Sequence, residues 1–250
     1  MSFKIVSFIL LFTWTKTVFS ELPPEITPCS SESSTEDYNQ CVLQQLKILT
    51  PQLAKGIPLL KLPQLDPLNL SGLVIDRNLN DIKIKANFTN IRVYGASHYS
   101  IEELKANPKA LAVFMVLHFP YIHIKGNCDI KGNYLLLPFN ENGAFKGNFT
   151  NTQVRVSAEG KEIIDKNNIR RVELDKLVTK IRVGDGNIKF KTSRFQGARA
   201  TAELAVAFFN SNPRLGLDIV NPIVEDTAAT IGKALAARAL GALTKDEILP

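Results

Sequence analysis

Little in this sequence can carry chemistry. Its three histidines, His98, His118 and His123, and three cysteines, Cys29, Cys41 and Cys128, fall at no metal-ligand spacing, so no metal centre is expected. No HExxH, GxSxG or P-loop pattern occurs, which removes the metalloprotease, hydrolase-elbow and nucleotide-cradle readings. Gly184-Asp185-Gly186 lacks the rest of a dinucleotide fingerprint and reads as a hairpin turn. Asp246 and Glu247 sit in the C-terminal tail and read as a solvated pair rather than a catalytic one. Neither an enzyme nor a cofactor is expected. The lysines are scattered instead of clustered, so the basic excess makes no nucleic-acid surface. No Gly-, Ser- or Pro-rich linker divides the chain, and no apolar run reaches the ~20 residues that span a bilayer. One domain over residues 21–250, with no integral membrane association, is the expectation.

The first twenty residues are set apart by composition. Lys4 supplies a basic start, Ile5 to Phe12 an apolar run, and Val18-Phe19-Ser20 small residues at the usual positions before a cut. That is the pattern of a secretory signal peptide, cleaved between Ser20 and Glu21. Losing Lys4 and Lys16 with it lowers the formal charge of +6 to +4. Secretion agrees with three glycosylation sequons, at Asn69, Asn87 and Asn148. In an oxidising compartment Cys29 and Cys41 can close a short loop and tie the N-terminus to the first helix. Cys128 is then left over, either buried and inert or paired with another chain, with inert the commoner fate of a single buried cysteine.

Ser33 to Leu49 reads as an amphipathic helix capped by Ser34 or Thr35, with Glu36 and Asp37 in the first turn and Pro51 just beyond its end. Prolines 58, 63 and 67 make the next segment an edge or crossing piece. From Leu73 the apolar period becomes two. Ile82 to Phe88 alternates with Lys83, Lys85 and Asn87, placing the Asn87 sequon on the wet face. Leu111 to Ile124 is almost continuously apolar, as a strand covered on both sides or lining a cavity would be. Asn142-Gly143 signals a hairpin, and Phe145, Gly147 and Phe149 alternate with Lys146 and Asn148, so the third sequon also faces outward. Arg171–Val183 and Asn187–Phe195 read as a further hairpin, and Ala198–Phe209 as helical or turn-like.

Asp218 to Leu243 organises the rest. Val220, Val224, Thr227, Ile231, Leu235 and Ala239 recur every three or four residues, and Ile219, Ile223 and Ala228 widen that stripe. A helix of this length would run about 35–40 Å, and with so little polar surface it must be wrapped or lie in a membrane. The order of elements gives an α+β chain in which a highly curved antiparallel sheet rolls around a long C-terminal helix, with a short helix at the N-terminus. Such a sheet and helix can close on each other completely or leave a dry apolar gap, and periodicity does not decide between the two. If a gap exists, Phe114, Val116, Val220, Val224, Ile231 and Leu235 are the expected wall. His118 shares the phase of Phe114, Val116, Ile122 and Ile124, and reads either as a core histidine bonded to backbone or as the polar contact for an otherwise apolar ligand.

Several stretches resemble one known family. Gly56-Ile57-Pro58 followed by Leu65-Asp66-Pro67-Leu68, then Phe119-Pro120 with Gly126, Gly132 and Leu135 to Pro138, are similar to its proline-rich and central strand motifs. Phe209-Asn210-Ser211-Asn212-Pro213 through Gly216 resembles the turn before its last helix, and Lys245-Asp246-Glu247-Ile248-Leu249-Pro250 its ending. The family is that of the haemolymph juvenile hormone-binding proteins of insects, including the takeout-like proteins. The resemblance implies a tubular lipid-binding (super-roll) fold with an elongated apolar tunnel. It also implies a disulfide between Cys29 and Cys41, and a secreted, monomeric carrier for haemolymph or another extracellular fluid. Such a carrier would take a terpenoid hormone, a fatty acyl molecule or a similar lipid, with no cofactor. Cys128 stands where the family commonly has an aromatic residue, and a second cysteine pair is missing, so the takeout-like branch fits better than the dedicated hormone carriers. The alternative is an extracellular immune or interaction protein that binds bacterial or membrane lipid surfaces.

Overall fold

Two strands of uncommon length form the spine of the molecule, whose computed structural model describes residues 22–79, 82–134, 137–193 and 199–250. The signal-peptide region lies outside these residues. Strand β4 (Ala112–Tyr134) pairs with β5 (Leu137–Ile164) in one uninterrupted antiparallel register, from Ala112↔Glu159 to Tyr134↔Leu137. Residues 121–134 and 137–150 make the distal half of this ribbon, and 112–119 with 152–164 the proximal half. Beyond distal β4 come β2 (Ile82–Tyr94) and then β1 (Leu68–Leu79), while β3 (Ser100–Asn107) borders proximal β4. On the other side of β5, β6 (Arg170–Arg182) covers the proximal half and β7 (Asp185–Thr192) the distal half. Since β6 and β7 run in the same direction along one edge, the expected hairpin of Arg171–Val183 and Asn187–Phe195 does not form, the end of the second segment from residue 194 lying outside the described residues. The two strands make a single course broken at Gly184, whose N–H donates to the carbonyls of Thr150 and Asn151.

The side-chain phase inverts halfway along the ribbon. In the distal half Ile122, Ile124, Cys128 and Ile130 pair with Phe149, Gly147, Gly143 and Glu141 on the concave face. In the proximal half the apolar row is Val113, Met115 and Leu117, paired with Ala158, Val156 and Val154 and through them with Leu177, Thr179 and Ile181. Two successive residues point outward at the crossover on each strand, Pro120 with Tyr121 and Thr150 with Asn151, all exposed. Asn151 has φ 50°, and Asn90, at the bulge of β2, has φ 51°. A left-handed residue reverses the pleat and bends the strand. Asn accepts that conformation more readily than other side chains.

Helix α3 (Pro213–Ala242) lies across the concave side against β6 and β7. It begins earlier than the apolar stripe implies, with Pro213 in its first turn and Pro222 inside it. Helix side chains occupy the unpaired edge groups of the sheet. Ile181 N–H donates to the Glu225 carboxylate at 2.9 Å, and its carbonyl accepts from Asn221 Nδ2 at 2.9 Å. Asn210 of α2 (Arg199–Ser211) clamps both backbone groups of Ile188 on β7 in the same way, at 2.8 and 2.9 Å. Asn39 of α1 (Thr35–Lys55) accepts from Ala106 N–H of β3 at 2.7 Å. Each covered edge is thereby withdrawn from pairing with another chain.

The proximal end is plugged by the one cluster of buried apolar side chains among the described residues, Ile57, Leu60 and Leu243, with Leu49, Leu53, Ala239 and Ile248 packed around it. This packing explains why α1 runs through Pro51 to Lys55 rather than stopping before the proline. A helix-interior proline costs about 3 kcal/mol, and seating Leu53 on the plug offsets it. Ser34 caps α1 by accepting from Asp37 N–H. The short C-terminal turn α4 (Lys245–Ile248) carries a full capping box between Thr244 and Glu247. Arg171 donates to the Gly241 and Leu243 carbonyls at the end of α3 and to Asp165. Asn142-Gly143 forms no turn and lies inside β5. Gly143 is there because a Cβ would stand 2.2 Å from the Lys191 carbonyl oxygen of β7.

Candidate ligand-binding interior

The distal concave face is paved with phenylalanine laid over glycine. A Cβ at Gly126, Gly132, Gly143, Gly147 or Gly186 would meet the ring of Phe145, Phe139, Phe190 or Phe149 at 2.7–3.0 Å. Each of these rings therefore reaches over a glycine on the strand beside it, where a larger residue would collide. Phe88 joins the layer edge-on to Phe145, with ring centroids 5.4 Å apart. These rings are only half-buried. No large side chain among the described residues is fully buried, whereas a chain of this size ordinarily encloses a close-packed core. The inward apolar surface of this sheet is therefore not sealed by protein atoms.

The expected wall residues divide between the two faces. Phe114, Val116 and His118 are corrected by the phase inversion. They share a face with Lys105, Glu103 and Ser100 of β3 and with Ser157, Arg155 and Gln153 of β5, and the Lys105 ammonium stands 6.0 Å from the Phe114 ring centroid. That face is turned away from α3, although Val116 itself is buried on it; the proximal row on the α3 side is Val113, Met115 and Leu117. On α3, Val220, Ile231 and Leu235 are half-buried on one stripe. Val224 lies on the same stripe yet is 39% exposed.

Sequence reasoning missed the distal aromatic layer and Glu141. The alternation Phe145-Gly147-Phe149 held the signal, because a glycine in the phase of a phenylalanine leaves room for a ring to approach the backbone. Glu141 shares that inward phase and is buried. The three sequon asparagines, Asn69, Asn87 and Asn148, are all exposed and all in the outward phase; Asn148 also bonds His123 across the ladder. Cys29 and Cys41 are disulfide-bonded with Cα atoms 5.9 Å apart. Cys128 is a buried free thiol opposite Phe88 and Gly143, pushed up to about 11 by burial and secondarily by Asp129. No cluster of metal-ligating side chains occurs among the described residues, and no described helix is long and apolar enough to cross a membrane.

The family model described as "Haemolymph juvenile hormone binding protein (JHBP)" matches residues 7–250. The chain belongs to that family. Among solved structures, Takeout 1 of Epiphyas postvittana superposes with a TM-score of 0.67 at 20% identity, over 89% of this chain and 98% of that one. A lipopolysaccharide binding protein aligns at a TM-score of 0.34 and 11% identity, over 78% of this chain and 37% of that one. No curated protein matches the sequence. The fold of this JHBP-family chain is thus the takeout type, a tubular lipid-binding roll, and the family is one of binding proteins for hydrophobic ligands rather than enzymes.

Proposed function

We propose that this protein is a secreted carrier that holds one small hydrophobic molecule, a terpenoid or fatty acyl compound, between the concave sheet and α3. The observation that carries the reading is the aromatic floor of Phe88, Phe139, Phe145, Phe149 and Phe190, inward-facing but only half-buried. Val220, Val224, Ile231 and Leu235 of α3 form the opposite wall, and Val113, Met115 and Leu117 continue it proximally. Burying ~400 Å² of ligand surface would supply about 10 kcal/mol before association costs, and those costs, ~4–15 kcal/mol, leave affinity to fit and to a few polar contacts. Residues 21–250 act as one unit in extracellular fluid, as a monomer, with glycans on the outward face at Asn69, Asn87 and Asn148. The Cys29–Cys41 bridge and the leader-like first twenty residues support export.

Native mass spectrometry of the protein purified from its own tissue tests this. A co-purifying apolar molecule at one-to-one stoichiometry is the expected result. An empty protein that binds anionic vesicles in a salt-sensitive way would replace the carrier with a lipid-surface binder.

A further inference from the structure

Among the described residues, the distal interior contains one carboxylate with no countercharge. Glu141 sits in the inward phase of β5, opposite Ile130 of β4, and is only 7% exposed. Its one hydrogen-bond partner among the described residues is the Thr192 hydroxyl, which donates to Oε2 at 3.2 Å. Oε1 is not fully sealed from solvent and has no partner among the described residues. No lysine, arginine or histidine occupies an inward position of distal β2, β4, β5 or β7. Arg77 of β1 shares the inward phase, but two strands, β2 and β4, separate it from the β5 row and it is paired with Asp226.

Burying a carboxylate costs several kcal/mol, and a single hydroxyl does not offset that. Tying the end of β7 to β5 needs no charge, since a glutamine would accept the same bond from Thr192. The remaining oxygen is placed to accept from a guest. We propose that Glu141 reads the polar end of the ligand, and that the ligand is a hydrophobic alcohol whose hydroxyl donates to Oε1 while its chain lies on the phenylalanine floor. A free fatty acid would set one carboxylate against another and is disfavoured; an ester offers no proton and gains nothing from the contact. This inference rests on the carrier reading and narrows it from hydrophobic molecules in general to those ending in a hydroxyl.

The test is displacement of the fluorescent probe N-phenyl-1-naphthylamine from the full mature chain by 1-hexadecanol, palmitate and methyl palmitate, in wild type and in Glu141→Gln. Thermal unfolding of the variant verifies that it is folded, and Glu141→Leu serves as a second variant. Wild type is expected to prefer hexadecanol over palmitate and over the ester by about tenfold or more, the value of one charge-assisted hydrogen bond. In Glu141→Gln the discrimination against palmitate should largely vanish, and in Glu141→Leu all three should bind within a few-fold of one another. If the three bind wild type and both variants in the same order, Glu141 does not read the head group while the carrier reading stands. If none of the three displaces the probe from wild type, both the inference and the carrier reading are overturned.

Discussion

Arg77 on β1 and Asp226 on α3 meet at 3.1 Å across the seam where the rolled sheet would otherwise have to close on itself. The next helix residue, Glu225, holds the opposite border through Lys180 and the Ile181 N–H of β6. Strands β1 and β6 do not pair with each other, so the roll is closed by helix side chains rather than by a ladder. The two halves of this clasp differ in strength. The Arg77 and Asp226 side chains are 46% and 62% exposed, and exposed pairs contribute less than about 1 kcal/mol. Glu225, at 15%, satisfies a strand N–H that would otherwise lack a partner. Arg77→Ala should leave urea unfolding nearly unchanged, whereas Glu225→Ala should cost about 1–3 kcal/mol. Equal effects from the two would contradict this division.

Acid should loosen the far end of the same helix. The Arg171 guanidinium beside Asp165, helped by the Ile169 and Asn167 N–H groups, holds the Asp165 carboxyl below its ordinary range. Arg171 also donates to the last carbonyls of α3, where a cation complements the helix dipole. A carboxyl lowered in the folded state stabilises it at pH values above its unfolded pKa. That contribution is lost as the pH falls through the folded value. Asp165→Asn should therefore lower the melting temperature at neutral pH and have little effect at a pH below the folded value. A difference from wild type that stayed constant across the acid range would count against the pairing.

Much of the fold was legible because its signals were local. The period-two stretch from Ile82 to Phe88, the long stripe from Val220 to Ala239 and the Ser34 cap each follow from near neighbours in sequence. The sites were less legible because they depend on a crossover that sequence parity does not show. Reading Phe114, Val116 and His118 inward required the phase of Ile122 and Ile124 to continue through Pro120, and two outward residues in a row reversed it. Asn142-Gly143 misled for a related reason. A glycine needed for close approach to β7 has the same letters as one needed for a turn. The β6–β7 course, read as a hairpin from its glycines, could be told apart only by which strand each segment pairs with.

Cys128 should behave as a small apolar residue. With its thiol pushed up to about 11, roughly one molecule in a thousand carries the thiolate at pH ~8, and the thiolate is the reactive form. Iodoacetamide should label Cys128 only in denaturant, while Cys29 and Cys41 stay protected by their disulfide. Ready labelling of the native protein would place the thiol at an accessible surface instead.

Two buried threonines on the inward phase should respond in opposite directions to the same substitution. Thr152 stands at the crossover, opposite Phe119, and its Oγ1 is the one sealed side-chain atom among the described residues without a partner. Thr179 is equally buried, but its hydroxyl donates to the Glu225 carbonyl at 2.7 Å. Valine keeps the shape of threonine and replaces the hydroxyl with a methyl group. At Thr152 it removes an uncompensated desolvation cost, so Thr152→Val should stabilise the empty protein by about 1 kcal/mol. At Thr179 it removes a made hydrogen bond between β6 and α3, and Thr179→Val should destabilise by a similar amount. Chemical denaturation of both variants measures the two signs against one reference. Destabilisation by Thr152→Val would mean that its hydroxyl has a bonding partner in solution, such as a buried water at the bend of the ribbon.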